Sequence, residues 1–167
     1  LGFLANSVRR RLHPEPVVTY VIDRNINYTD ICVSACKFCA FFKAPDDPAG
    51  STLSREELLA KIRETQELGG TQVLLQGGLH PDLDLAFYED MLRAMKATGI
   101  HVHGFSPPEI HHFAEISGLS VRAVLERLMV AGLDSIPGGG AEILSNRVRR
   151  ELAPRKCDAD QWISVME

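Results

Sequence analysis

Cys32-Val33-Ser34-Ala35-Cys36-Lys37-Phe38-Cys39 packs three of the chain's four cysteines into eight residues, in a CxxxCxxC pattern. Three thiolates at this spacing can wrap one soft metal centre. They can also hold three corners of a cubane iron–sulfur cluster and leave the fourth iron open. An open iron takes a substrate or a cofactor, so the pattern points to chemistry more than to stapling. A structural zinc site is the rival reading. Zinc accepts thiolates at comparable spacing but wants four ligands, and the fourth would be Cys157 or one of the six histidines. No second CxxC or HxxxH pair is present. A disulfide framework does not suit a chain of 167 residues with four cysteines.

Upstream of the cysteines, residues 1–12 read as an amphipathic helix with Phe3, Leu4, Val8 and Leu12 apolar, ended by His13-Pro14-Glu15-Pro16. Val17–Ile22 is β-branched and aromatic and reads as a strand. Asp23-Arg24-Asn25 reads as a turn, and Ile26–Thr29 as a second strand delivering the chain to Cys32.

Downstream, a Pro-, Asp- and Gly-rich loop spans residues 44–52, and then the pattern becomes regular. Ser54 and Glu57 form a capping box with Leu53 and Leu58 as its hydrophobic staple, opening a helix that runs to Leu68. Thr71–Gln76 is a buried-type strand, Leu85–Ala97 a helix and Ile100–Phe105 a strand. Ser120 caps a further helix, with Leu119 and Val124 as its staple. Leu133–Ile136 reads as a fourth, short strand, Glu142–Leu152 as helical, and Asp158 with Gln161 begins a last helix that continues to Glu167.

Gly70, Gly99 and Gly132 each end a helix and lead at once into a strand. A helix–strand period of about thirty residues is that of parallel crossover units. The apolar run Val73-Leu74-Leu75 predicts strands buried on both faces. No GxGxxG turn follows the first strand, as a dinucleotide-binding sheet would show. Instead the strands end in polar or glycine-rich segments, which a parallel barrel gathers on its C-terminal rim. The expected fold is α/β: a partial TIM-type (βα) barrel of about four units, against about 250 residues for eight. Residues 1–167 then form one domain, the N-terminal half of such a barrel, with no internal boundary.

Composition is that of an ordinary globular chain, 45% hydrophobic and 24% charged. The net charge of −4 speaks against nucleic acid as a partner, and Arg9-Arg10-Arg11 reads as a solvated helix face. No apolar run is long enough for a membrane span. The chain starts at Leu1 and carries no secretory or lipidation signal, so a cytoplasmic location is expected.

Several rim residues invite chemistry. Gly77 and Gly78 let a ligand approach bare backbone, or simply make a tight turn. Gly138-Gly139-Gly140 before Glu142 is an anion cradle at a helix start, or a flexible turn. Ser106-Pro107-Pro108-Glu109 is rigid and aims Ser106 or Glu109 at the rim, unless Glu109 sits in the first turn of a short helix. His101 and His103 alternate toward the barrel interior, His111-His112 is expected at the surface, and Cys157 reads as a bystander thiol.

CxxxCxxC with an aromatic before the last cysteine, after the first strand of a βα barrel, resembles the radical S-adenosylmethionine (SAM) superfamily. Residues Val18–Thr29, Cys36–Phe41, Leu74–Gly78, Ser106–Glu109 and Asp134–Leu144 together resemble its dehypoxanthine futalosine cyclase family, of the futalosine route to menaquinone. Aminofutalosine synthase and the deazaflavin (F0) synthase subunits share much of this pattern. The resemblance implies that Cys32, Cys36 and Cys39 ligate a [4Fe-4S] cluster whose open iron binds SAM. It implies that Phe38 approaches the adenine and that Gln76-Gly77-Gly78 contacts the SAM amino group. Leu79 stands where many members carry Glu. Ser106 and Glu142 fall where ribose or methionine contacts are made. The implied activity is radical cyclisation of dehypoxanthine futalosine, driven by an external one-electron reductant.

Overall fold

The computed structural model describes residues 1–167. Three short strands, β1 (Asp23–Asn27), β2 (Gln72–Gln76) and β3 (His101–Gly104), lie parallel in the order β1-β2-β3. The register pairs Ile26 with Leu75 and Val73 with Val102. Each crossover is helical: α2 (Arg55–Glu67) links β1 to β2, and α3 (Leu85–Lys96) links β2 to β3. After β3 come α4 (Pro107–Ser117) and α5 (Val121–Ala131), then α6 (Asn146–Leu152) and α7 (Ala159–Met166). An outlying α1 (Gly2–Leu12) precedes the sheet. This is the first part of a parallel βα barrel. Residues 133–136, expected as a fourth strand, make only an isolated bridge from Ser135 to His103.

Local signals account for the helix starts. Ser54 and Glu57 close the expected capping box, as do Asp158 and Gln161. The Ser120 hydroxyl accepts from the Ala123 N–H. α4 is the short helix, with Glu109 in its first turn, that stood as the alternative to a rigid turn. Pro107 and Pro108 occupy its first two positions, where a missing N–H costs nothing, and Gly118 ends it with φ +66°.

Two expectations near the start are corrected. The first strand is Asp23–Asn27, which takes in the expected turn, and Val17–Ile22 makes no ladder. Residues 17–22 have strand-like composition, but β2 offers its five pairing positions to residues 23–27. Val18 remains 86% exposed. The second correction concerns the sheet's faces. Ile26, Val73, Leu75 and Val102 are fully buried under the helices, each contributing about 1.5–3 kcal/mol. The opposite face carries Asn25, Asn27, Leu74, Gln76, His101 and His103, all at least partly accessible. Burial is therefore one-sided, not two-sided.

Candidate active site

The three strands end on one side of the sheet, and there the chain lines an open cavity of about 620 Å³. Its wall includes all three clustered cysteines, Phe38, the Gln76-Gly77-Gly78 turn, Ser106, Glu109 and Glu142. Each residue singled out in the sequence as a cluster or SAM contact thus borders the same space.

The cysteine loop leaves β1 through Tyr28 and is pinned from several sides. The Tyr28 N–H donates to the Gln76 carbonyl, the Cys32 N–H to the Lys43 carbonyl, and the Lys37 N–H to the Leu152 carbonyl. Ala35 takes φ +47° to turn the loop inward. The Cys32 Sγ accepts N–H groups from Ser34 (3.4 Å) and Leu79 (3.3 Å), while Ser34 Oγ lies 3.2 Å from Cys36 Sγ. Burial pushes the Cys32 thiol up, and the Leu79 and Ser34 amides oppose it.

All four cysteines are free. No three His, Cys, Asp or Glu side chains stand close enough to share a single ion. Tetrahedral zinc, with Zn–S bonds of about 2.3 Å, would draw its sulfurs to about 3.8 Å of one another. A cubane takes one thiolate on each of three irons, so its sulfurs stand further apart. Cys157, the fourth ligand of the zinc reading, is buried elsewhere, with its Sγ 3.9 Å from the Arg149 guanidinium. The cavity is lined by three cysteines with no histidine and no fourth cysteine, a donor set that suits a cluster with one open iron better than a four-ligand zinc ion.

Gly77 and Gly78 are required by packing. A Cβ on Gly77 would sit 2.5 Å from the Tyr28 ring, and one on Gly78 would sit 2.1 Å from the Ile31 carbonyl. The diglycine therefore lets the end of β2 press against the cysteine loop, and the Gly78 N–H closes the contact by donating to Thr29 O at 3.0 Å.

Glu109 occupies the third position of α4 and is only 1% exposed. It accepts from Tyr28 OH (2.9 Å), the Gly77 N–H (3.0 Å) and Ser106 Oγ (2.6 Å). Burial raises its carboxyl to about 7 against the pull of these donors. The Tyr28 and Tyr88 phenols are raised as well, burial first and the Glu109 charge second. Sequence reading named Glu109 within a rigid turn but did not foresee a buried acid. The available signal was an acidic residue directly ahead of the apolar Ile110 and Phe113 face.

On the far wall, Lys156 Nζ bonds Glu142 Oε1 at 2.7 Å and lies 5.6 Å from the centre of the half-exposed Phe38 ring. Lys156 is the lone cation lining the cavity, and nothing in its local sequence announced it. The triple glycine does not open a helix, since α6 begins at Asn146. It is instead held by others: the Trp162 indole donates to Gly139 O (2.9 Å), and buried Arg149 donates to the carbonyls of Gly140, Ala141 and Ile143 and to Cys157 O.

His101 and His103 share the Ser135 hydroxyl, at 3.1 and 2.7 Å, on the open sheet face. His112 is buried with its ring against His80 O, correcting the surface expectation. Its α4 position turns it inward, beside Phe113.

The sequence profile of the Radical SAM superfamily matches residues 26–167. This chain belongs to the radical SAM superfamily. It is 47% identical over its whole length to a protein of Halalkalibacterium halodurans named cyclic dehypoxanthine futalosine synthase, covering 46% of that protein. It is 46% identical over 89% of its length to a 5-amino-6-(D-ribitylamino)uracil–L-tyrosine 4-hydroxyphenyl transferase of Methanopyrus kandleri, covering 41% of it. The chain thus spans less than half the length of these relatives. Among solved structures, methylornithine synthase (PylB) matches 97% of the chain and 44% of its own with a TM-score of 0.67 at 15% identity, which supports the barrel fold alone. Radical SAM membership implies a [4Fe-4S] cluster and SAM as cofactors, and this radical SAM chain offers three free thiols on one cavity wall for the first. No helix is long and apolar enough to cross a membrane.

Proposed function

We propose that this chain is the cluster-bearing half of a radical SAM enzyme that converts dehypoxanthine futalosine to cyclic dehypoxanthinyl futalosine in menaquinone biosynthesis. The observation that carries the reading is the shared cavity: three free cysteines, an aromatic and the diglycine turn face one space at the strand ends. An identity of 47% over the whole of this chain to 46% of a synthase of that name supports the choice of substrate.

In this reading Cys32, Cys36 and Cys39 hold the cluster. Phe38, Gln76, Gly77, Gly78, Ser106 and Glu142 border the place for SAM. When bound, the cluster and SAM supply one-electron hydrogen abstraction, using an external reductant. The chain's own residues orient and enclose. The Ser34 and Leu79 amides steady the Cys32 sulfur, and Gly78 keeps the β2 end against the cysteine loop. Phe38 offers a ring face, and Glu142 with Lys156 offers a charge pair at the rim.

A second reading, transfer chemistry like that named for the Methanopyrus protein, is favoured by a nearly equal identity of 46%. The test separates the two. Full-length protein, reconstituted anaerobically with iron and sulfide, is incubated with SAM, a reductant and dehypoxanthine futalosine. The cyclised product is expected. Deoxyadenosine without that product would move the assignment to a relative, and failure to bind about four irons would overturn the cluster altogether.

A further inference from the structure

We propose that Glu109 is a positioning residue that ties the three strand ends into one rigid wall, so that the cysteine loop and the ligand-facing turn hold a fixed relation. It accepts one hydrogen bond from beyond each strand: Tyr28 after β1, Gly77 after β2 and Ser106 after β3. Two residues beyond Gly77, Leu79 donates its N–H to Cys32 Sγ, and its carbonyl accepts the Val33 N–H. A single carboxylate is therefore joined to a cysteine sulfur by a short run of backbone. The same carboxylate accepts the hydrogen bond of the Ser106 hydroxyl, and Ser106 itself borders the cavity.

The surroundings show why a carboxyl is used. The Tyr28 ring is wedged among Tyr88 and Phe105, and Phe105 in turn meets Phe113 edge-on. Inside such an apolar box an unpaired phenol or amide would be costly. One carboxyl with two oxygens accepts from an O–H, an N–H and a second O–H at once. A neutral hydroxyl offers too few lone pairs for three donors, and an amine offers donors where acceptors are needed. Exposure of 1% keeps water from substituting.

The proposal concerns the SAM-facing wall and so rests in part on the radical SAM reading. Its test has two independent arms, both on full-length protein. The first uses cluster-free protein and follows amide hydrogen exchange. Glu109→Ala should raise exchange at Gly77–Leu79 and Tyr28 at least tenfold while the helical amides of α3 stay within about twofold. Glu109→Gln keeps an acceptor oxygen for Tyr28 and Gly77 and should restore protection to within about threefold. The second arm uses reconstituted protein. Glu109→Ala should retain its irons yet lose tenfold or more in SAM affinity, and Glu109→Gln should recover most of it. Uniform exchange gain throughout the domain would reduce Glu109 to a general core residue and overturn the proposal. Unchanged exchange at Gly77–Leu79 would overturn it directly. A wild-type protein that binds no SAM would sink the functional reading while leaving the exchange arm to judge the brace.

Discussion

The two faces of the sheet are built to different rules. Beneath the helices, Ile26, Val73, Leu75 and Val102 are sealed from water. On the other face, the neighbouring positions Asn25, Asn27, Leu74, Gln76, His101 and His103 are polar or only partly covered. Strand alternation produces both faces from the same fifteen or so residues. The sealed face holds the sheet together, and the polar face is the interior wall of a barrel whose ligand space opens at the strand ends. Stability and chemistry are thereby assigned to alternate residues of each strand, and the contrast can be tested.

The largest effect should come at the strand ends. Replacing Cys32, Cys36 or Cys39 with Ala in the full-length protein should abolish cluster absorbance and SAM cleavage while the melting temperature of cluster-free protein moves little. Substantial turnover by any of the three would break the assignment. Next, Leu75→Ala on the sealed face should cost about 2–5 kcal/mol, whereas Leu74→Ala, one residue away, should cost under about 1 kcal/mol. Equal losses in chemical denaturation would show that the polar face is covered after all. Gly77→Ala should destabilise by about 1–3 kcal/mol, because the new methyl meets the Tyr28 ring at 2.5 Å.

A pH-dependent effect of similar size belongs to Glu109. Its folded value of about 7 lies above the ordinary carboxylate value. Between these values the folded protein keeps a proton that the unfolded chain has lost, so stability falls as pH rises through about 4.5 to 7. The groups facing Glu109 are the Tyr28 and Tyr88 phenols, both raised and hence neutral in this range. Glu109→Gln should flatten the stability profile in that window by up to about 3 kcal/mol. A mutant profile parallel to wild type would place the titration elsewhere. The smallest change is expected at Asn25→Ala, within about 0.5 kcal/mol.

Much of this was legible because it is local. Ser54 with Glu57, Ser120, and Asp158 with Gln161 signal helix starts through groups three residues apart, and all three caps form. The cysteine spacing and Phe38 likewise announced the site. What was hidden depends on distant partners. Val17–Ile22 has strand composition, but β2 decides which residues pair, and it takes Asp23–Asn27. Leu74 looks like its neighbours Val73 and Leu75, and nothing local reveals that it faces the open side. Glu109 becomes a buried acceptor only when Tyr28 and Gly77, far away in sequence, arrive beside it. Pro107-Pro108 read equally as a rigid turn or a helix start because prolines stop helices more visibly than they start them. Lys156 reaches the cavity only because the link between α6 and α7 returns to Glu142, which it bonds.

That buried arginine has a consequence for ligand capture. Its guanidinium grips the carbonyls of Gly140, Ala141 and Ile143 together with that of Cys157, so a glycine-rich segment that would otherwise wander is frozen before any visitor arrives. The ordering entropy of that stretch is settled when the chain folds, not when the cavity fills. An incoming molecule therefore meets a finished surface, and Arg149→Lys, with its single point charge in place of a fork, should slow capture by making the visitor do the freezing.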